Sequence, residues 1–195
     1  MIKLIIFDMS DVCSNSEEPP FIEGFMKIHG LPEVFEEEYY ELGYKAEMDE
    51  ISGRKVWETL IKKYNIQETP EEIMEAMMKT KEFYPEMLEF TNNLREKHKV
   101  VCFTNYCEDY WKLFEDKIKD YFDEVIVSYQ LKTRKPKPEG FKIILRKYNV
   151  KPEEAVFIDD TKKSVEQAAS LGIKAIQFKN KEQLLEELEG IGVIK

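Results

Sequence analysis

Long apolar runs are missing from this chain. The stretch "MIKLIIFDMS" turns polar after a few residues, and no later segment runs further. That excludes a membrane span and an ordinary signal peptide, so the expectation is a cytoplasmic protein with no membrane partner. Cysteine is also scarce. Cys13, Cys102 and Cys107 are an odd set of 3 without zinc-like spacing, which excludes a disulfide framework and points to buried thiols in a reducing compartment. Positive charge is in deficit, with 29 basic against 39 acidic residues and a net charge of -10. Nucleic acid and anionic membrane surfaces are therefore excluded as main partners, while a local basic patch can still hold a small anion. There is no internal repeat and no low-complexity linker, and the sequence specifies no oligomeric state.

What is present is globular. The 195 residues are 43% apolar and 35% charged, enough for one core or a core with an appendage. "KLIIF", "VVCF", "EVIVS" and "AVFID" read as buried parallel strands, and "KAIQF" as a weaker fifth. Helical patterns separate them. "PEMLEFTNNLREKH" aligns Met87, Phe90 and Leu94; "EDYWKLFEDKIKDYF" aligns Trp111, Phe114 and Ile118. "PEGFKIILRKYNV" aligns Phe141, Ile144, Leu145 and Tyr148, and "TKKSVEQAASLG" carries Val165, Ala168 and Ala169 before Gly172. Alternating strands and helices predict an α/β fold with a parallel sheet covered on both faces. From Cys13 to about Tyr84 the rhythm breaks and only helical pattern remains, including a capping box at Thr69, Pro70 and Glu72. The stripe of Ile73, Met74, Met77 and Met78 reads as core filler.

In such sheets ligands bind beyond the carboxyl ends of the strands. Asp8 ends the first strand, Thr104 and Asn105 the second, and Asp159 and Asp160 the "AVFID" strand, while Lys135 follows "EVIVS" and precedes a helix. Each has a plain structural reading. Asp160 or Thr161 could cap the next helix, and Lys135 could be a solvated surface charge. Together they place three carboxylates, a hydroxyl and an ammonium on one rim. A carboxylate there is costly unless paired or metal-bound, so the set suggests a hard cation such as Mg²⁺ with a phosphate beside it.

The order "FDMSDV", "FTN", "RKPKPEGF" and "VFIDD" resembles the motifs of the haloacid dehalogenase superfamily, which is mostly phosphatases. The likeness runs from Ile2 to about Lys179, nearest in kind to sugar-phosphate phosphatases and the N-terminal domain of epoxide hydrolases. It implies a Rossmann-like core over 1–14 and 86–195, with an inserted α-helical cap domain over 15–85. It implies Asp8 as the nucleophile that forms an aspartyl-phosphate on a small phosphorylated substrate. Mg²⁺ would be held by Asp8, Asp159 and the Ser10 carbonyl, with Asp160 a further ligand or a supporting partner. Thr104 and Lys135 would bind the transferring phosphoryl group, and Asn105 would support that loop. Around the insertion, Glu17, Glu18 and Pro19–Pro20 mark a first hinge and Phe83 to Glu86 a second. Tyr40, Tyr44 and Trp57 are candidates for the entrance, although core of the insertion is the favoured reading.

Ser10 departs from the pattern. Family phosphatases carry a second Asp two residues after the nucleophile, placed so that both side chains of an extended strand point the same way. Serine is a poor acid and a poor base, and losing general acid–base help costs about 10²–10⁴ in rate. One outcome is a slow phosphatase. Asp11 could reach in if the chain turned tightly, against strand parity. A phosphonatase-type enzyme would use a cap lysine, for which Lys45 is a conceivable counterpart. A dehalogenase fits less well, because the Asp159–Asp160 pair favours a metal. The rival from another class is a binding or regulatory protein that kept the fold without efficient turnover.

Overall fold

A computed structural model describes all 195 residues. Five strands form one parallel sheet: β1 (Leu4–Phe7), β2 (Lys99–Thr104), β3 (Glu124–Val127), β4 (Ala155–Asp159) and β5 (Lys174–Gln177), in the spatial order β3-β2-β1-β4-β5. Their near-continuous Val, Ile and Phe content suits strands covered on both faces. Strand parity then sorts the core. Leu4 and Ile6 pack with Phe103, Phe157, Phe141 and Ile144, whereas Ile5 and Phe7 pack with Met87, Leu88, Leu184 and Leu188. Helices on opposite faces supply these partners: α8 (Pro138–Tyr148) and α9 (Lys162–Ser170) on the first, α5 (Pro85–Leu94) and α10 (Lys181–Gly190) on the second. Gly140 lets α8 sit directly on β2, since a Cβ there would lie 2.6 Å from the Phe103 ring. The fold is the expected α/β, Rossmann-like sheet, and no helix is long and apolar enough to cross a membrane.

Between β1 and β2 the chain runs through α1 (Glu18–His29), α2 (Val34–Glu47), α3 (Gly53–Tyr64) and α4 (Pro70–Lys79) before α5. The capping box of α4 forms as the sequence predicts, with Thr69 and Glu72 bonding each other's backbone N–H. Phe25, Phe35, Tyr39 and Trp57 stack into an aromatic centre for these helices, with Ile73, Met74 and Met77 buried beside it. The strands of chain that enter and leave the insertion are zipped together. Asn15 donates to the Thr80 carbonyl and accepts from the Glu82 N–H, and Ser14 bridges to Phe83.

One expected helix is much shorter than its pattern. "EDYWKLFEDKIKDYF" forms only α6 (Glu108–Trp111), followed by 3-10 turns at Glu115–Lys117 and Lys119–Tyr121. Trp111, Phe114 and Ile118 are still buried. Phe114 packs edge-on against both Tyr106 and Trp111, so tertiary contacts override helical propensity here. A short α7 (Ser128–Leu131) follows β3 before the chain reaches Lys135.

Candidate active site

Sheet register builds the site. Phe7 is level with Cys102 on one side and with Ile158 on the other, so Asp8 and Asp159 fall at the same height on adjacent strands. Thr104 ends β2 on the other flank of β1. Because the strand order turns back between β1 and β4, these ends border the crevice where open α/β sheets bind ligands. The crevice is a cleft of about 520 Å³ lined by Asp8, Ser10, Thr104, Asn105, Lys135 and Asp159, among others. That volume suits a small metabolite.

Lys135 is the centre of the arrangement. Its Nζ lies 2.6 Å from Asp8 Oδ1 and 2.6 Å from Asp159 Oδ2, and it is buried. Asn105 holds it there: the amide accepts from the Lys135 N–H at 2.9 Å and donates to the Lys135 carbonyl at 3.1 Å. Both ends of the Asn105 amide are thus engaged with the loop. Asp8 Oδ1 also accepts from the Met9 N–H at 2.6 Å, and Asp159 Oδ1 accepts from Thr161 N–H at 2.8 Å. That bond holds the turn that leads into α9. Neither Asp160 nor Thr161 makes a side-chain cap, which removes the plain reading of Asp160.

Burial pushes the Asp8 carboxyl up to about 8; the Lys135 ammonium opposes this and Asp159 adds to it. Burial alone would lower Lys135, but Asp159 and Asp8 outweigh it and raise it. Asp160 is also raised, by burial first and then by Asp159 and Asp11. The common cause is a surplus of negative charge in a poorly solvated place. Carboxylate oxygens of Asp8, Asp159 and Asp160 all lie within 4.8 Å of one another. Three carboxylates against one ammonium leave a formal surplus of two negative charges. A small divalent cation with oxygen ligands fits both the spacing and the charge.

The remaining candidates separate. Ser10 lines the cleft, and its Oγ lies 3.2 Å from the Tyr106 hydroxyl. Asp11 does not reach in: it adopts a left-handed φ of 57° and its Oδ1 accepts from the Ser16 N–H. Lys45 bonds Glu41 on α2 and does not line the cleft. Trp57 is core and donates to the Tyr110 hydroxyl at 2.7 Å, but Tyr44 is 42% exposed and does line the cleft.

Several groups have no signal in the sequence. Tyr106, beyond "FTN", donates to Glu17 and accepts from Lys81 Nζ at 2.8 Å, and Lys81 pairs with Glu17 at 2.8 Å. In the sequence Glu18 reads only as part of a hinge. It lines the cleft with Glu47 and Arg134, which are ion-paired to each other. Arg134 alone could have been suspected, from its place beside Lys135.

A Rossmann-like sheet with an acid-rich rim, a buried lysine and a helical insertion after the first strand defines a class of hydrolase. The family model for haloacid dehalogenase-like hydrolases matches residues 5–178, and the chain belongs to that family. It is 27% identical to the phosphorylated carbohydrates phosphatase of Thermotoga maritima, over 90% of this chain and 84% of that protein. It is 26% identical to the D-ribitol-5-phosphate phosphatase of Bacteroides thetaiotaomicron, over 96% of this chain and 97% of that protein. A haloacid dehalogenase family enzyme of Bacteroides thetaiotaomicron, solved in complex with magnesium and inorganic phosphate, superimposes with a TM-score of 0.82 at 25% identity, covering 95% of this chain and 99% of that one.

Proposed function

We propose that this hydrolase is a Mg²⁺-dependent phosphomonoesterase for a small phosphorylated metabolite. The observation that carries the reading is the convergence of three carboxylates and Lys135 at one strand-end cleft. The phosphatase activities named for two relatives support it. Asp8 attacks phosphorus, the ester oxygen leaves, and an aspartyl-phosphate forms that water then hydrolyses. Lys135 and the Thr104 hydroxyl hold the phosphoryl oxygens, and Asn105 keeps the Lys135 backbone in place. Asp8, Asp159, Asp160 and the Ser10 carbonyl would hold the ion, which when bound supplies positive charge to the transferring group. Residues 1–14 and 86–195 form the core domain and 15–85 the helical cap that shields the cleft from water. The buried thiols of Cys13, Cys102 and Cys107, none in a disulfide, suit a cytoplasmic setting.

The test is hydrolysis of p-nitrophenyl phosphate with and without Mg²⁺. Wild type should release p-nitrophenol only with the ion, and Asp8→Asn should lower kcat by about 10³-fold or more. A second reading, a binding or regulatory protein with little turnover, draws on Ser10, whose hydroxyl is tied to Tyr106. Inactivity toward a broad panel of phosphate esters would favour it. Metal-independent halide release from haloacids would favour dehalogenation instead.

A further inference from the structure

The wall of the cleft facing the acidic rim comes from the insertion. Glu18 opens α1, and Tyr44 and Glu47 lie in the last turn of α2. Arg134, on the loop that carries Lys135, closes the group: its Nε donates to Glu47 Oε2 and its guanidinium lies 4.0 Å from the Tyr44 ring centroid. Glu18 Oε1 accepts from the Tyr39 hydroxyl at 3.0 Å. Each group keeps capacity in reserve. Glu18 Oε2, Glu47 Oε1 and the terminal nitrogens of Arg134 make no hydrogen bond within the protein. Unused acceptors and donors thus share this wall of the cleft.

Charge narrows what the wall accepts. The Arg134 cation is matched by Glu47, so it is not free for a second anion. Burial, with Glu47 and Glu17 adding, pushes Glu18 up to about 8, which leaves it largely uncharged at neutral pH. Apart from Lys135, the remaining cation of the cleft is Lys163, exposed on α9. Glu18 and Tyr44 also line a neighbouring recess of about 20 Å³, room for a water and not for another ring.

We propose that Glu18, Glu47 and Arg134 form the specificity subsite for the alcohol half of the substrate, accepting a short, uncharged, hydroxyl-bearing chain and rejecting a second phosphate or carboxylate. Hydroxyl groups satisfy the unused oxygens and nitrogens, whereas a second anion beside Arg134 also meets Glu47, and the unpaired cation of the cleft, Lys163, lies apart from them on α9. This deepens the phosphomonoesterase reading and rests on it.

The experiment compares kcat/KM for ribitol 5-phosphate and phosphoglycolate, with p-nitrophenyl phosphate as the internal standard. Wild type should prefer the polyol ester by about tenfold or more. Glu47→Gln uncovers Arg134 and should shift the ratio toward phosphoglycolate by about tenfold, mainly through KM. Arg134→Met leaves Glu47 uncovered and should shift it the opposite way. Opposite signs keep the test sharp if either variant folds poorly, because the ratio is read within each protein. Ratios unchanged within about twofold in both variants, with Mg²⁺-dependent turnover of p-nitrophenyl phosphate intact, overturn the subsite and leave the phosphatase reading standing. Wild type inert toward all three esters overturns both.

Discussion

Two buried lysines of this protein sit in opposite electrostatic circumstances. Lys81 meets one carboxylate, Glu17, and the Tyr106 hydroxyl; both charged side chains of that pair are 1% exposed. Charge is balanced one to one, and the pair joins the two ends of the insertion. Lys135 meets two carboxylates directly and has Asp160 close by, so its surroundings are short of positive charge. A balanced buried pair is a clasp, whose worth shows when one partner is lost. An unbalanced one is prepared for something that brings charge with it.

The sharpest way to break this comparison is to remove each ammonium. Lys81→Met should destabilise by about 3–5 kcal/mol, because Glu17 is left buried and unpaired. Denaturant unfolding measures it, and Mg²⁺ should raise the Tm of this variant no more than it raises that of wild type. Lys135→Met should behave differently: its loss of stability should be relieved by Mg²⁺, whose charge replaces the missing ammonium, while its turnover stays low. Equal responses of the two variants to Mg²⁺ would erase the distinction.

A smaller effect concerns Ser10. Ser10→Asp should raise turnover of alkyl phosphates by about tenfold, less than the roughly 10²–10⁴ that well-placed general acid–base help supplies. Tyr106 already engages this position and Glu17 lies behind it, so the new carboxylate enters an occupied network. Steady-state kinetics with a poor leaving group reads the gain, and no gain would mean that the acid does not limit the rate.

The smallest effect is a pH dependence at Glu18. Its folded value of about 8 lies above the ordinary 4.5, with burial as the first cause. A raised carboxyl lends stability that is complete below its unfolded value and is lost as pH rises through the folded one. Glu18→Gln should therefore match wild type near pH 4.5 and exceed it in Tm by about a few degrees above pH 8. A constant difference across that window would contradict the assignment.

How far the sequence was legible follows the same division between rim and insertion. Strand-end residues are held by register, and register follows from short apolar runs, so Asp8, Thr104 and Asp159 could be placed together in advance. The loop after β3 brings Lys135 to the same rim, but its clamp by Asn105 depends on a contact across 30 positions. The wall of the cleft was not readable. Glu18, Glu47 and Arg134 meet because two helices and a loop pack together, and an acidic helix end resembles any solvated one. An aromatic at helical spacing usually belongs to the core, which favours that reading of Tyr44 over the entrance, yet Tyr44 stands at the cleft with Arg134 over its ring. The stretch after Trp111 failed for a related reason: its apolar spacing is helical, but Phe114 finds its partners by leaving the helix.

Calorimetric titration of Mg²⁺ into the protein tests the central claim most directly. The expected result is one site for the wild type, weakened at least about tenfold in Asp159→Asn and left intact in Lys81→Met wherever that variant remains folded. Identical Mg²⁺ binding by wild type and Asp159→Asn, or none by either, would contradict it.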